Sequence, residues 1–224
     1  MKKRNHLFKI ALLSSVIAMT SVQMCAAAEV TTQDTASTAE TAPASISTNE
    51  IPGWPAGPEI TSETGVLIDA DSGTVLYSKG GDDIRYPASI TKIMTLLLAV
   101  ENCSLKEDVV FTETGTRDIS WDSGNIGMQV GEVMSMRACL YALIIQSANE
   151  VAAQIAEHVG GTEQNFIDMM NQRAAEIGCT NTHFANASGL PDPNHYSTAH
   201  DMALIMKAAI DNESFRTIAA TGSY

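Results

Sequence analysis

The pattern of apolar and polar residues first predicts a β-hairpin followed by a buried helix. Residues 65–70 (GVLIDA) and 74–78 (TVLYS) are short runs rich in β-forming residues, and Asp71-Ser72-Gly73 between them is typical of a turn. Residues 89–100 (SITKIMTLLLAV) are apolar on nearly every side. A helix that is apolar all round packs inside a domain, so we expect this one at the centre of the core.

The rest of the chain is predicted to be mainly helical. Apolar residues recur at helical spacing in four further segments: 134–146, 150–159, 162–177 and 198–210. Strand signals are scarce after residue 112. Hairpin and helices together indicate a mixed α/β (α+β) fold, but two strands do not make a stable sheet alone. We therefore expect strands that complete the sheet to be missing from this chain.

The amino-terminal segment predicts export. Lys2, Lys3 and Arg4 precede a mostly apolar stretch, residues 7–22, and Ala26-Ala27-Ala28 supplies small residues for cleavage. We interpret residues 1–28 as a signal peptide cut after Ala28; a single membrane anchor is the alternative. Residues 29–53 are rich in Thr, Ser, Ala and Glu, so we expect a flexible spacer, followed by one domain over residues 54–224.

Composition and charge exclude several function classes. The chain is 45% hydrophobic, enough for one core, and its net charge of -13 with no basic cluster after residue 9 argues against nucleic-acid binding. Cleavage would remove Cys25 and leave Cys103, Cys139 and Cys179, which allow at most one internal disulfide of undetermined pairing. With no close cysteine pair and no His-x-x-x-His, we expect neither a metal site nor a cofactor.

Ser89 and Lys92 form the first candidate for chemistry. Positions i and i+3 of a helix lie on one face, so the amine can reach the hydroxyl. A serine becomes a nucleophile when a neighbouring base removes its proton, and burial lowers the pKa of a lysine towards the neutral form that can act as this base. The alternative is that the Ser89 hydroxyl caps the helix while Lys92 extends to the surface.

A second candidate is Ser147-Ala148-Asn149, between two predicted helices. In a turn, both polar side chains could point into one cleft, with Ser147 relaying a proton and Asn149 holding Lys92 or a substrate amide. The alternative is a cap for the helix that starts near Glu150.

These motifs and their order resemble the low-molecular-mass penicillin-binding proteins, specifically the serine-type D-alanyl-D-alanine carboxypeptidases of the bacterial envelope. The resemblance covers about residues 63–224 and rests on GVLIDADSGTVLYSK, RYPASITKIMT, SAN and GCTNTHFANASGLPDPNHYSTAHDMALI. It implies a β-lactamase/penicillin-binding transpeptidase-like fold, with a helical cluster and an antiparallel sheet.

The resemblance also implies roles and partners. Ser89 would be the acylated nucleophile, Lys92 its general base, Ser147 a proton relay and Asn149 a substrate-binding residue, and the Ser89 N–H would serve the oxyanion hole. The reaction would remove the terminal D-alanine of peptidoglycan stem peptides in the cell envelope, and β-lactam antibiotics would acylate the same serine. A segment beyond this chain would make any peripheral membrane contact.

The chain departs from the family pattern at the third motif, Lys-Thr-Gly. The only downstream candidate, Ala220-Thr221-Gly222, has alanine in place of the cation that binds a carboxylate, and we interpret it as a loop. We therefore expect a partial sequence that is poorly active or inactive by itself.

Three other functions remain open. A serine β-lactamase needs a deacylating carboxylate in a loop, whereas Glu163 and Glu176 are helical by pattern. A D,D-endopeptidase would use the same serine. A non-catalytic envelope-binding module would keep the fold without the activity.

Overall fold

The computed structural model describes residues 47–117 and 123–224. The predicted signal peptide, and residues 29–46 of the predicted spacer, lie outside the described residues. Within them, no helix is both long enough and apolar enough to cross a bilayer.

The predicted hairpin is confirmed. Strand β1 (Gly65–Ile68) pairs antiparallel with β2 (Val75–Lys79), with Gly65 opposite Lys79. At the turn, the Gly73 N–H donates to the Asp69 carbonyl over 2.8 Å, and Gly73 has a φ of 76°, which glycine adopts without strain. The turn therefore follows from the Asp-Ser-Gly sequence.

Part of the predicted spacer contacts the hairpin. Residues Thr48–Glu50 form a turn of 3₁₀ helix, and the buried Thr48 hydroxyl accepts a hydrogen bond from the Ser78 N–H over 3.0 Å. The Trp54 indole donates to the Leu76 carbonyl over 3.0 Å. Because β2 has unpaired backbone groups on this side, residues 47–54 supply partners for them.

The helices that follow form the body of the domain. In chain order the elements are α1 (Lys92–Asn102), β3 (Asp108–Val110), α2 (Glu113–Thr116), β4 (Val133–Ser135), α3 (Met136–Ile145), α4 (Asn149–Gly160), α5 (Glu163–Ile177), α6 (Ala199–Ile210) and α7 (Glu213–Ala219). The four helices predicted after residue 133 are confirmed as α3 to α6. Strands β3 and β4 pair antiparallel but were not predicted, because three residues are too few to show a period. Helices α2 and α7 were also not predicted.

Helix α1 lies at the centre of the core, as predicted. It packs against α3, α4, α5, α6 and α7, and its residues Met94, Leu96 and Leu97 are fully buried. Burial of three such side chains contributes on the order of 6 kcal/mol to folding. The helical cluster with small antiparallel sheets confirms the mixed α/β class, and the hairpin packs on α6 through β1.

Candidate active site

The first candidate residues lie where the chain enters α1. Ala88–Thr91 form a 3₁₀ turn immediately before Lys92, and residues i and i+3 are eclipsed in such a turn. The Ser89 hydroxyl is exposed and lies 3.3 Å from the Lys92 amine, which is 2% exposed. Ser89 does not cap the helix, because its Oγ contacts the lysine instead, and Lys92 does not extend to the surface.

Two carbonyl oxygens complete the surroundings of Lys92. Its Nζ donates to Asn149 Oδ1 over 2.7 Å and to the Ser188 carbonyl over 2.6 Å. Burial lowers the pKa of Lys92 to about 8, while the charge of Glu150 opposes the change. A substantial fraction of the amine is therefore neutral in mildly alkaline solution.

This set of partners orients the neutral amine. A neutral amine has two hydrogens and one lone pair, and Asn149 Oδ1 and the Ser188 carbonyl can only accept. Both hydrogens are thus used by these two oxygens, and the lone pair is left for the hydroxyl of Ser89. The arrangement can take the proton of Ser89 as the serine attacks an electrophile.

The second candidate motif forms the turn between α3 and α4. Ser147 has a φ of 53°, and Asn149 is the first residue of α4, whose cap position is Ala148 with no side-chain cap bond. The motif therefore supplies the cap position of α4 through Ala148, but neither the Ser147 nor the Asn149 side chain caps the helix. The Asn149 N–H donates to the Gly124 carbonyl over 2.8 Å, and a Cβ on Gly124 would lie 2.6 Å from the Ser147 carbonyl oxygen. Position 124 needs glycine for this approach.

Ser147 differs from the other three candidates in its hydrogen bonding. The structure joins Ser89, Lys92 and Asn149 by hydrogen bonds. The half-buried Ser147 lies two residues from Asn149, and its hydroxyl makes no hydrogen bond with another described residue.

The carbonyl that holds Lys92 belongs to a loop that the sequence analysis did not assign to the site. Asn186 Oδ1 accepts hydrogen bonds from the backbone N–H groups of Ser188, Gly189 and Leu190, over 3.2, 2.7 and 3.1 Å. Its Nδ2 donates to the Leu190 carbonyl over 2.9 Å. One amide thus fixes the backbone that presents the Ser188 carbonyl. The Asn-Ala-Ser-Gly sequence predicts a turn, but it does not show that the Ser188 carbonyl in this turn accepts a hydrogen bond from Lys92.

A buried histidine ties the same region to the start of α1. The Ala185 N–H donates to His195 Nδ1 over 3.1 Å, so the other ring nitrogen, Nε2, carries the proton and donates to Thr91 Oγ1 over 2.7 Å. Burial lowers the pKa of His195, which favours this neutral form. In the next turn of α1, the Thr95 hydroxyl donates to the Ala187 carbonyl over 2.6 Å.

Glu150 places a carboxylate beside the site. It is 3% exposed, and its Oε1 accepts hydrogen bonds from the N–H groups of Ile126 and Gly127 over 2.6 and 3.1 Å. Its Oε2 is buried and has no hydrogen-bond partner among the described residues. Glu150 thus holds the loop beside the Ser147 turn through hydrogen bonds, and its negative charge favours the protonated form of Lys92.

Two cavities flank the loop that contains Ser188. One, of about 420 Å³, is lined by apolar and aromatic groups that include Tyr86, Leu190 and Pro191, together with Ala88 beside Ser89. The other, of about 390 Å³, has polar walls that include Asn149, Glu150 and Asn186. The apolar cavity thus lies beside Ala88 and the polar cavity beside Asn149, on the two sides of this loop.

The remaining candidates lie in the secondary structure that their sequence predicted. Glu163 and Glu176 are both in α5, and Glu163 forms an ion pair with Arg117. Ala220-Thr221-Gly222 follows the end of α7 and is confirmed as a loop. Cys103, Cys139 and Cys179 are free thiols, so none of the disulfides allowed by the sequence is formed.

Comparison with known sequences identifies the family. A family model described as D-alanyl-D-alanine carboxypeptidase matches residues 51–223. The D-alanyl-D-alanine carboxypeptidase DacF of Bacillus subtilis is 36% identical over 165 residues, which are 73% of this chain and 42% of that protein. The enzyme DacC of Escherichia coli is 36% identical over 68% of this chain and 40% of its own. The chain thus spans about two fifths of the length of these relatives.

The fold of the chain is also similar to solved structures of related proteins. The D-alanyl-D-alanine carboxypeptidase of Mycobacterium tuberculosis superposes with a TM-score of 0.71 at 31% identity, over 77% of this chain and 65% of that one. Penicillin binding protein 5 of Haemophilus influenzae superposes with a TM-score of 0.67 at 33% identity, over 73% of this chain and 49% of that one.

Proposed function

The chain belongs to the D-alanyl-D-alanine carboxypeptidase family, and from this we propose that the intact protein is a serine D,D-carboxypeptidase of the cell wall. It would remove the terminal D-alanine of peptidoglycan pentapeptides. The observation that carries the proposal is the buried Lys92 amine, held by two carbonyl oxygens with its third position at the exposed hydroxyl of Ser89.

The first step would form an acyl-enzyme. Ser89 Oγ attacks the carbonyl carbon of the penultimate D-alanine while its proton passes to Lys92 Nζ, and the Ser89 N–H donates to the developing oxyanion. The bond from this carbon to the nitrogen of the terminal D-alanine then breaks, and the nitrogen takes up, through Ser147, the proton that Lys92 received. Water hydrolyses the ester in the second step and restores the Ser89 hydroxyl.

Asn149 would have two duties in this scheme. Its Oδ1 accepts from Lys92, which leaves the Nδ2 group to bind a carbonyl of the stem peptide. A β-lactam places a reactive amide at the same position, so it would acylate Ser89 in place of the peptide. The predicted signal peptide supports action at the cell envelope.

Covalent labelling with a penicillin tests the nucleophile. After long incubation of the intact protein with excess labelled penicillin, we expect one adduct per molecule, located by peptide mapping on Ser89. The variant Ser89→Ala should lose the adduct, whereas Ser72→Ala, which changes an exposed serine of the hairpin turn, should keep it. An adduct that persists in Ser89→Ala would refute the assignment, and absence of labelling in every form would favour the non-catalytic module.

Product analysis then separates the peptidase classes. Incubation of the intact protein with a pentapeptide should release free D-alanine. Cleavage of crosslinked dimers without release of D-alanine would identify an endopeptidase instead.

A further inference from the structure

A cluster of three metal-binding side chains lies at the opposite end of the helices that form the site. Cys103 follows the last residue of α1, Glu107 precedes β3, and His158 lies in the last turn of α4. The sulfur, a carboxylate oxygen and an imidazole nitrogen all lie within 4.8 Å of one another. His158 Nε2 is 3.1 Å from Glu107 Oε2.

The local backbone fixes this cluster and leaves it accessible. The other oxygen of Glu107, Oε1, accepts a hydrogen bond from the Ser104 N–H over 2.6 Å, so the carboxylate is held over the end of α1. Cys103 and His158 are half-buried and Glu107 is exposed. An ion can therefore reach all three groups from solvent.

We propose that Cys103, Glu107 and His158 form a binding site for zinc or a similar divalent transition-metal ion. Thiolate, imidazole and carboxylate are the ligand types that Zn²⁺ prefers, and three protein ligands leave the fourth tetrahedral position to water. Hard cations such as Mg²⁺ and Ca²⁺ favour oxygen ligands alone, so this donor set selects against them.

The geometry requires a small contraction. With bonds of about 2.0 to 2.3 Å, ligand atoms of a tetrahedral zinc site lie roughly 3.5 Å apart. Because the ligand atoms lie within 4.8 Å of one another, the widest separation would close by at most about 1.3 Å, which side-chain rotation at a helix end can supply. The ion takes the place of the contact between His158 and Glu107.

Binding would release protons. The ion binds the thiolate of Cys103, so the thiol proton leaves to solvent, and His158 binds through Nε2 with its proton on Nδ1. Because the thiolate and not the thiol is the ligand, binding should strengthen as the pH rises.

The sequence analysis expected no metal site on these cysteines, and the proposal departs from that expectation because spacing along the chain does not reveal the cluster. Cys103 and Glu107 are close in sequence, but His158 is 51 residues beyond Glu107 and joins them only through the packing of α4 beside α1. A site of this kind has no local pattern.

The proposed metal site is remote from Ser89 and independent of the proposed function. Helix α1 begins with Lys92 and α4 with Asn149, and 11 or 12 residues at about 1.5 Å each place the cluster roughly 16 Å away. An ion there would join the far ends of two helices whose first residues meet at the candidate active site. Its expected effect is on stability and not on the chemistry of Ser89.

Titration of the chelator-treated chain with Zn²⁺ and Co²⁺ tests the proposal. We expect calorimetry to give one tightly bound ion per chain, and Co²⁺ to give a thiolate-to-cobalt absorption band. The variants Cys103→Ser and His158→Ala should each weaken binding at least tenfold, and the first should abolish the band. Zn²⁺ should raise the unfolding temperature of the natural chain and not that of Cys103→Ser.

Two control variants test specificity. Cys179→Ser removes a half-buried thiol outside the cluster, and His200→Ala removes a histidine outside the cluster that pairs with Asp82 over 3.1 Å. Both should bind the ion as the natural chain does. Absence of saturable binding, or binding that Cys103→Ser leaves unchanged, would overturn the proposal.

Discussion

Gly189 lies so close to Ala88 that a Cβ on residue 189 would be 1.9 Å from the Ala88 carbonyl oxygen. Both residues have left-handed backbone conformations, with φ of 85° and 50°. Ala88 precedes Ser89, and Gly189 follows Ser188, whose carbonyl accepts from Lys92. The contact therefore sets the separation between the backbone that carries the hydroxyl and the backbone that holds the amine.

We expect Gly189→Ala to destabilise the chain and to displace Lys92. Gly161→Ala is a matched control, because Gly161 also has a positive φ, 73°, but open space around it. The control should lose about 1 kcal/mol from backbone strain alone, and Gly189→Ala at least about 2 kcal/mol more. Denaturant unfolding measures both; equal losses would show that the close approach is unimportant.

The buried amine of Lys92 should make stability rise in alkaline solution. Its pKa is lowered from 10.5 to about 8, so between these values the unfolded chain binds more protons than the folded chain. The free energy of unfolding should increase by up to about 3 kcal/mol over this range. Lys92→Met should lack the increase, and a parallel rise in that variant would assign it to other groups.

Glu150→Gln should lower the pKa of Lys92 further. The carboxylate favours the charged amine, and the amide removes that charge while its oxygen can still accept from Ile126 and Gly127. Because Oε2 has no partner among the described residues, this substitution breaks no described hydrogen bond. NMR titration of the lysine Nζ measures the shift.

The control for this substitution lies on the same helix. Glu157 binds Thr112 and Gln154, and Glu157→Gln should leave the titration of Lys92 unchanged. A Lys92 pKa that rises in Glu150→Gln, or that moves equally in both variants, would contradict the assigned role.

His195 should make the chain sensitive to acid. Burial lowers its pKa from 6.5. Protonation of Nδ1 would break the hydrogen bond that this nitrogen accepts from the Ala185 N–H, because two N–H groups would then face each other. Stability should therefore be complete above about pH 6.5 and fall below it, by at most about 1.4 kcal/mol per pH unit, until the folded pKa is passed.

Unfolding at a series of pH values, with His195→Gln beside the natural chain, measures this contribution. The variant should have a flatter profile between pH 6.5 and the folded pKa. His200→Gln, at a half-buried position away from His195, should keep the acid dependence of the natural chain through His195. A profile that does not change in His195→Gln would refute the role.

The sequence by itself determined the elements whose pattern is local. Alternating apolar runs with a glycine turn fixed the hairpin, helical spacing fixed α1 and α3 to α6, and the three-residue interval between Ser89 and Lys92 was enough to pair hydroxyl and amine. The pattern did not predict β3, β4, α2 and α7, which extend over seven residues or fewer and show too little of a period.

Only the tertiary structure decided what surrounds these residues. The partners of Lys92 and Thr91 lie 57, 96 and 104 residues away in the chain, and the approach of Gly189 to Ala88 spans a comparable separation. Such contacts depend on how helices and loops pack. Every residue has a backbone carbonyl, so the sequence does not show which carbonyl will accept a hydrogen bond from a distant side chain. The same holds for His158 beside Cys103 and Glu107. Local periodicity says which face of an element is buried, whereas packing decides which distant group meets it.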